Sequence, residues 1–190
     1  MTATSMATAA SAPAAAAASA PAGNDVENAV DQRAFRDVMG HLPTGVVAIT
    51  GIDAETSRPA GMIVGTFQSL SLSPALVTFS VDRSSTSWPK IRTGGRFSAS
   101  VLAEHQTDVC KALSRKSGDK FEGVEWVPSP EGSPQFLGAA AWIDCEIEQE
   151  LDGGDHVIVI GRVLRMDGGY SDPLVFHKGR LGGYRAPVAA

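Results

Sequence analysis

Short apolar runs alternate with polar turns over most of the chain. Val30, Ala34, Val38 and Leu42 recur at a spacing of four, the period of one face of a helix. Pro43 ends that pattern, because the residue before a proline is pushed out of the helical region. Asn24 or Asp25 is the expected cap of the first turn. Gly45 to Ile52 (GVVAITGI) is rich in β-branched residues and predicts a strand. Asp53 to Pro59 is a polar turn, and Ala60 to Phe67 resumes as a strand, which predicts a hairpin. Ala75 to Val81 is a third strand and Arg96 to Leu102 a fourth. Between them, a short helix over Trp88 to Thr93 is expected, capped by Ser87 and with Pro89 in its first turn. Gln106 to Ser114 predicts another short helix.

Residues 115–138 carry Pro128, Pro130, Pro134 and several glycines, and read as a long irregular loop, the kind that often serves function. From Trp142 to Leu151, Ile143, Cys145 and Ile147 alternate with Asp144, Glu146 and Glu148, the signature of a strand with one wet face. Asp152 to Asp155 is a turn. Val157 to Met166 is the most apolar strand, and Gly161 within it signals a bulge or sharp bend. Leu174 to His177 is a last short strand. Six or more short strands with two or three short helices, in no regular strand–helix alternation, favour an antiparallel barrel of the mainly β class over a parallel sheet.

Composition narrows the functions. The 190 residues carry a formal net charge of -5 and no basic run, so nucleic acid is not an expected partner. No apolar stretch reaches the roughly 20 residues of a membrane-spanning helix. Residues 1–23 are rich in Ala, without a charged side chain. They read as a disordered leader before one domain over 24–186, because such a composition buries too little to offset its ordering entropy. Cys110 and Cys145 belong to no CxxC pair or Cys/His ladder, so no metal site is expected, and two free thiols in a reducing cytoplasm fit best. Neither GxGxxG after a strand nor GxxxxGK[ST] is present, nor a GxSxG elbow.

Four clusters could carry chemistry. Thr66 to Pro74 (TFQSLSLSP) sets hydroxyls at alternate positions, suited to hydrogen-bonding a heteroaromatic ring or a phosphate, though the pattern alone favours a polar strand edge. Asp82-Arg83-Ser84-Ser85-Thr86-Ser87 joins four hydroxyls and a guanidinium just before a helix, a plausible anion cradle or a plain solvated loop. Gly153-Gly154-Asp155-His156 is a hairpin turn that sets a histidine at a barrel mouth. Phe176-His177-Lys178-Gly179-Arg180 is a basic turn beside an aromatic ring.

Their order along the chain carries more than any one of them. The chain resembles the short-chain flavin reductases, the reductase components of two-component flavin monooxygenases. The likeness rests on Phe35 to Gly40 with Pro43 to Val46, then Gly61-Met62, Thr66 to Leu72 and Asp82 to Trp88. It continues through Gly95 to Phe97, Val101-Leu102, Asp119 to Phe121, Gly154 to His156 and Phe176 to Gly179. One departure is Pro74-Ala75 where the family usually has two prolines.

The resemblance implies a six-stranded split β-barrel of the FMN-binding kind and a homodimer. It implies FMN or FAD, reduced by NADH or NADPH and passed to a separate monooxygenase. By position, the flavin ring would meet Gly61, Met62, Ile63, Thr66 and Phe67, with Ser69 and Ser71 nearby. The flavin phosphate would lie against Asp82, Arg83, Ser84, Ser85 and Thr86. His156 would face the nicotinamide, and Phe176, His177 and Lys178 would help hold NAD(P)H. Two other uses of such a barrel are a flavoprotein acting on its own substrate and a flavin-binding protein without turnover.

Overall fold

A computed structural model describes residues 30–169 and 171–186. The expected leader and the expected caps Asn24 and Asp25 lie outside these residues. In chain order the elements are α1 (Gln32–Met39), β1 (Thr44–Gly45), β2 (Val47–Ile52), β3 (Pro59–Val64), β4 (Gln68–Leu72) and β5 (Ala75–Asp82). Next come α2 (Trp88–Thr93), β6 (Arg96–Val101), α3 (Thr107–Leu113), β7 (Val127–Pro128) and β8 (Pro134–Gln135). The chain closes with β9 (Ala141–Gly153), β10 (His156–Gly168), β11 (Leu174–His177) and β12 (Arg180–Gly183).

Seven strands form one antiparallel sheet in the order β3-β2-β6-β9-β10-β5-β4. The sheet curls until β3 approaches β5, leaving a seam between them rather than a ladder. Side chains cross that seam. The Thr66 hydroxyl accepts from the Ser80 backbone N–H at 2.9 Å, and the Ser85 hydroxyl lies 3.6 Å from the Met62 sulfur. This is a split barrel.

Two cores hold it. Inside the barrel pack Ile49, Met62, Phe79, Val81, Trp88, Phe97, Cys145 and Val159. Outside, against the other face of β2, lie Val46, Ala48, Leu102, Leu113, Phe121, Phe136 and Leu174. The strand β2 is therefore covered on both faces, which explains why its apolar residues run on without alternating.

Several expectations are corrected here. The first helix is capped by Asp31, whose carboxylate accepts from Ala34 N–H at 3.0 Å. Its apolar stripe is exposed, with Val30, Phe35, Val38 and Leu42 all facing outward. Ser87 sits at the cap position of α2 without making the capping bond; Ser85 Oγ accepts from Trp88 N–H at 3.2 Å instead. Asp144 is not on a wet face. It is fully buried beneath β8, where Gln135 Nε2 donates to its Oδ1 at 3.1 Å. The supposedly irregular 115–138 segment supplies that cover, through the β7–β8 ribbon and the rings of Phe121 and Phe136.

Candidate active site

The outward face of the seam gathers most of the residues singled out in the sequence. Strand alternation turns Ala60, Met62 and Val64 of β3 inward with the core and leaves Gly61, Ile63 and Gly65 on the outer face. On the far bank, Val77, Phe79 and Val81 of β5 turn inward, so Ser80 and Asp82 point out. The Asp82–Thr86 loop then crosses the seam toward β3, where Ser85 meets Met62.

The tight β9–β10 turn docks on that loop. His156 pairs with Asp82 across β10 and β5. Arg83 is clamped to the turn three ways: its backbone N–H donates to Asp155 O at 3.1 Å, its Nε to Gly154 O at 3.0 Å, and its guanidinium ion-pairs Asp152. Gly154 has φ +74°, the left-handed region that glycine enters without a Cβ penalty. Asp155 Oδ1 lies 2.7 Å from His156 Nδ1 and orients the imidazole. Hydrogen bonds from Ser84, side chain and backbone, hold the Asp82 carboxyl below the usual carboxylate range, with a smaller contribution from His156.

Two cavities flank this centre along β3. At the Gly65 end, an apolar cavity of about 390 Å³ is lined by Thr44, Ile63, Gly65, Cys110, Phe176 and Leu181, among others. At the Pro59 end, a cationic cavity of about 630 Å³ lies against Arg58, Thr86, Ser87, Lys90, Lys116 and Lys120. The Lys120 ammonium reaches in from above, donating to Ser87 Oγ at 3.0 Å and approaching Gly61 O at 3.4 Å. Burial, and then the neighbouring Lys90 charge, push its pKa below the usual lysine value.

The predicted residues thus divide. Met62 and Ser85 meet across the seam, Thr66 reaches across it to Ser80, and Phe67 packs on the barrel core. Asp82, Arg83 and His156 meet at the turn. Ile63 and Phe176 share the apolar cavity. Gly61 is buried, and the space beside its Cα is filled by Leu113 and Phe121. Ser69 and Ser71 lie apart, on β4 at the sheet edge. His177 lines a different cavity from Phe176, with Pro43 and Arg180, because neighbours on a strand face opposite ways. Lys178, at φ +47°, donates its backbone N–H to Gly40 O at 3.1 Å. Sequence reasoning gave no role to Thr44, which stands over Gly65, or to Arg58 and Lys116, which join Lys90 and Lys120 only through the fold.

The Asp82–Thr86 loop and the Gly153–His156 turn thus meet at the seam of an open antiparallel barrel, with a cavity on either side. The chain belongs to the flavin reductase-like domain family, whose model matches residues 39–185. It is 46% identical over 162 residues to a flavin reductase of Pseudomonas putida, covering 85% of this chain and 95% of that one. It is 42% identical over 156 residues to the flavin-dependent monooxygenase reductase subunit HsaB of Rhodococcus jostii, covering 82% and 79%. Among solved structures, the Streptomyces globisporus NADH:FAD oxidoreductase SgcE6, in complex with NAD and FAD fragments, matches with a TM-score of 0.77 at 33% identity. That match covers 86% of this chain and 99% of the other. Among the described residues, no helix is long and apolar enough to cross a membrane.

Proposed function

We propose that the protein is a NAD(P)H-dependent flavin reductase that supplies reduced flavin to a separate monooxygenase. The observation that carries this reading is the convergence at one seam of the Asp82–Thr86 loop, the Gly153–His156 turn and the outer face of β3, with an apolar cavity beside them. The relatives support it by name: one is a flavin reductase, one a monooxygenase reductase subunit, and one an NADH:FAD oxidoreductase. The residues fit a flavin, with an apolar cavity of about 390 Å³ beside Ile63 for rings and a hydroxyl-rich loop bordering the cationic cavity for phosphate.

When bound, the two cofactors supply the chemistry themselves, a hydride passing from nicotinamide C4 to flavin N5. The protein's part is positional. Ile63 and the backbone edge of Met62 floor the ring site, with Thr66 and Phe67 at its end, while Gly61 is packed beneath Leu113 and Phe121. Ser84, Ser85 and Thr86 hold the flavin phosphate. His156, fixed by Asp155, faces the nicotinamide, and the Phe176–Lys178 hairpin steadies the rest of NAD(P)H. Holding two rings in contact and excluding water replaces an improbable encounter by a positioned one, and no protein nucleophile is required. The exposed apolar faces of α1 and of β4, where Leu72 is 93% exposed, fit a second copy of the chain, and a cytoplasmic homodimer is part of this reading.

The test is nicotinamide oxidation by the purified chain, with NADH and NADPH in turn, and with or without FMN, FAD or riboflavin. Turnover that rises with added flavin and vanishes without it is the expected result; flavin binding without turnover under any pairing would sink the reading. A His156→Ala variant is expected to lose about 10- to 100-fold in kcat/KM for the nicotinamide, mostly through KM. A loss of about 10²- to 10⁴-fold in kcat itself would instead make His156 a general acid–base group.

A further inference from the structure

Arg83 belongs by sequence to the Asp82–Thr86 loop, yet its side chain serves the neighbouring turn. Its Nε donates to Gly154 O at 3.0 Å and its guanidinium ion-pairs Asp152. Its backbone N–H donates to Asp155 O at 3.1 Å. Among the described residues, these are the hydrogen bonds that tie residues 152–155 to anything outside their own hairpin. The dependence runs one way. The loop holds its own shape: Asp82 Oδ1 accepts from Ser84 N–H at 2.7 Å, Asp82 O from Ser85 N–H at 2.9 Å, and Ser85 Oγ from Trp88 N–H at 3.2 Å. None of these bonds uses the Arg83 side chain. The tip has no comparable set. Gly154, at φ +74°, has open space where a Cβ would stand, and the Asp155 side chain that orients His156 is 93% exposed. A hairpin tip with so few contacts is the part of a sheet that opens at least cost.

We infer that Arg83 is a positioning residue for the nicotinamide: it holds the Gly154-Asp155 tip in place, and through Asp155 the imidazole of His156, rather than binding the flavin phosphate. The inference rests on the flavin-reductase reading, in which His156 faces the nicotinamide, and it gives the one cation of the loop to that half of the site. An arginine suits the task. Its planar fork sets one N–H on a carbonyl and another on a carboxylate at once. The ion pair is exposed, with Asp152 93% open to solvent, and such pairs contribute little alone. The contact to Gly154 O is the one that fixes the orientation of the tip. A lysine, a single ammonium on a flexible stem, reaches Asp152 without fixing that carbonyl. Holding the imidazole ready lowers the ordering cost of docking the nicotinamide, an effect that falls on KM and leaves kcat in place.

Steady-state kinetics of the full chain tests this, with FMN and with riboflavin, which carries no phosphate, as acceptors. Arg83→Met is expected to raise KM for the nicotinamide about tenfold, the loss of a charge-assisted hydrogen bond. Its kcat is expected to stay within about twofold of the parent's, and KM for both acceptors is expected to stay unchanged. Arg83→Lys is expected to behave like Arg83→Met, and it carries the same comparison should the methionine variant not fold. In a His156→Ala background, Arg83→Met is expected to cost nothing further, because it acts through that ring. A rise in KM for FMN with riboflavin unaffected overturns the inference, by making Arg83 a phosphate ligand. A full additional loss in the His156→Ala background overturns it too, and so does a variant that weakens flavin and nicotinamide together with a lowered Tm, the mark of a merely structural role. Absence of turnover in the parent with any flavin removes the reductase reading itself.

Discussion

Replacing Phe79 by alanine is expected to destabilise the protein by about 4 kcal/mol, the cost of emptying an aromatic site that neighbours cannot refill. Phe79 is 1% exposed and sits where three other rings meet. It lies edge-on to Trp88 at 5.5 Å and to Phe97 at 5.3 Å, with Phe67 at 6.3 Å. Such pairs add to burial alone. Trp88 is held from its other side, since its Nε1 donates to Glu150 at 2.6 Å, so it does not slide into the gap. In a domain of this length the loss lowers Tm by about 8–16 °C. Denaturant unfolding checks it: the midpoint falls while the slope stays constant. A loss below about 1 kcal/mol would mean that the barrel collapses around the cavity. Because Phe67 belongs to the proposed ring site, flavin affinity is expected to fall with stability.

Gly161→Ala is the second large effect, and it acts by excess rather than deficit. A Cβ at this position would stand 2.6 Å from Phe97 Cζ and 3.2 Å from Cys145 Cβ. The ring it strikes is itself pinned by Phe79. Overpacking of this kind costs about 1–3 kcal/mol, and the upper end is expected here because both banks of the site are buried strands. Pairing the change with Phe97→Leu separates this cause from a general loss of strand freedom. The double variant is expected to lose less than the sum of the two single changes by about 1–2 kcal/mol. Strict additivity would show that the ring is not what Gly161 makes room for.

Much of the barrel was legible in the sequence because its strands carry their own punctuation. The hairpin of GVVAITGI with the next run, the helix over Trp88–Thr93 and the long pair around the Gly153-Gly154 turn all form where apolar runs and turn residues put them. Gly161 coincides with a register shift between β10 and β9, as a glycine inside an apolar strand signals. What the pattern could not show is which faces are covered by other elements. Asp144 alternates like a surface residue, and Gln135 of β8, only nine residues before it, donates to it in its buried position. The stripe on α1 has the period of a core helix, yet nothing else in the described chain packs on it. The site divides in the same way. Asp82 to Thr86 and Gly153 to His156 announce themselves locally through turn chemistry, and their meeting follows from β5 and β10 being neighbours. The cationic cavity has no local signature, since Arg58 and Lys116 come together only when the outer core folds the 115–121 segment back over β3.

The two cysteines, unused in the chemistry, turn the molecule into its own clock. Cys145 lies inside the barrel, and burial, aided by the Asp144 charge, pushes its thiol up to about 12. At pH 8 only about one such thiol in ten thousand is ionised, and no path reaches it in the closed barrel. Cys110 lines the apolar cavity, with its thiol also raised by burial. A thiol-reactive dye therefore labels the protein in two steps, Cys110 first and Cys145 at the pace of global opening. A ligand that binds only the folded form slows the second step by the factor 1 + [L]/Kd. Flavin affinity can thus be read from the slowing of the Cys145 label, without colour or turnover.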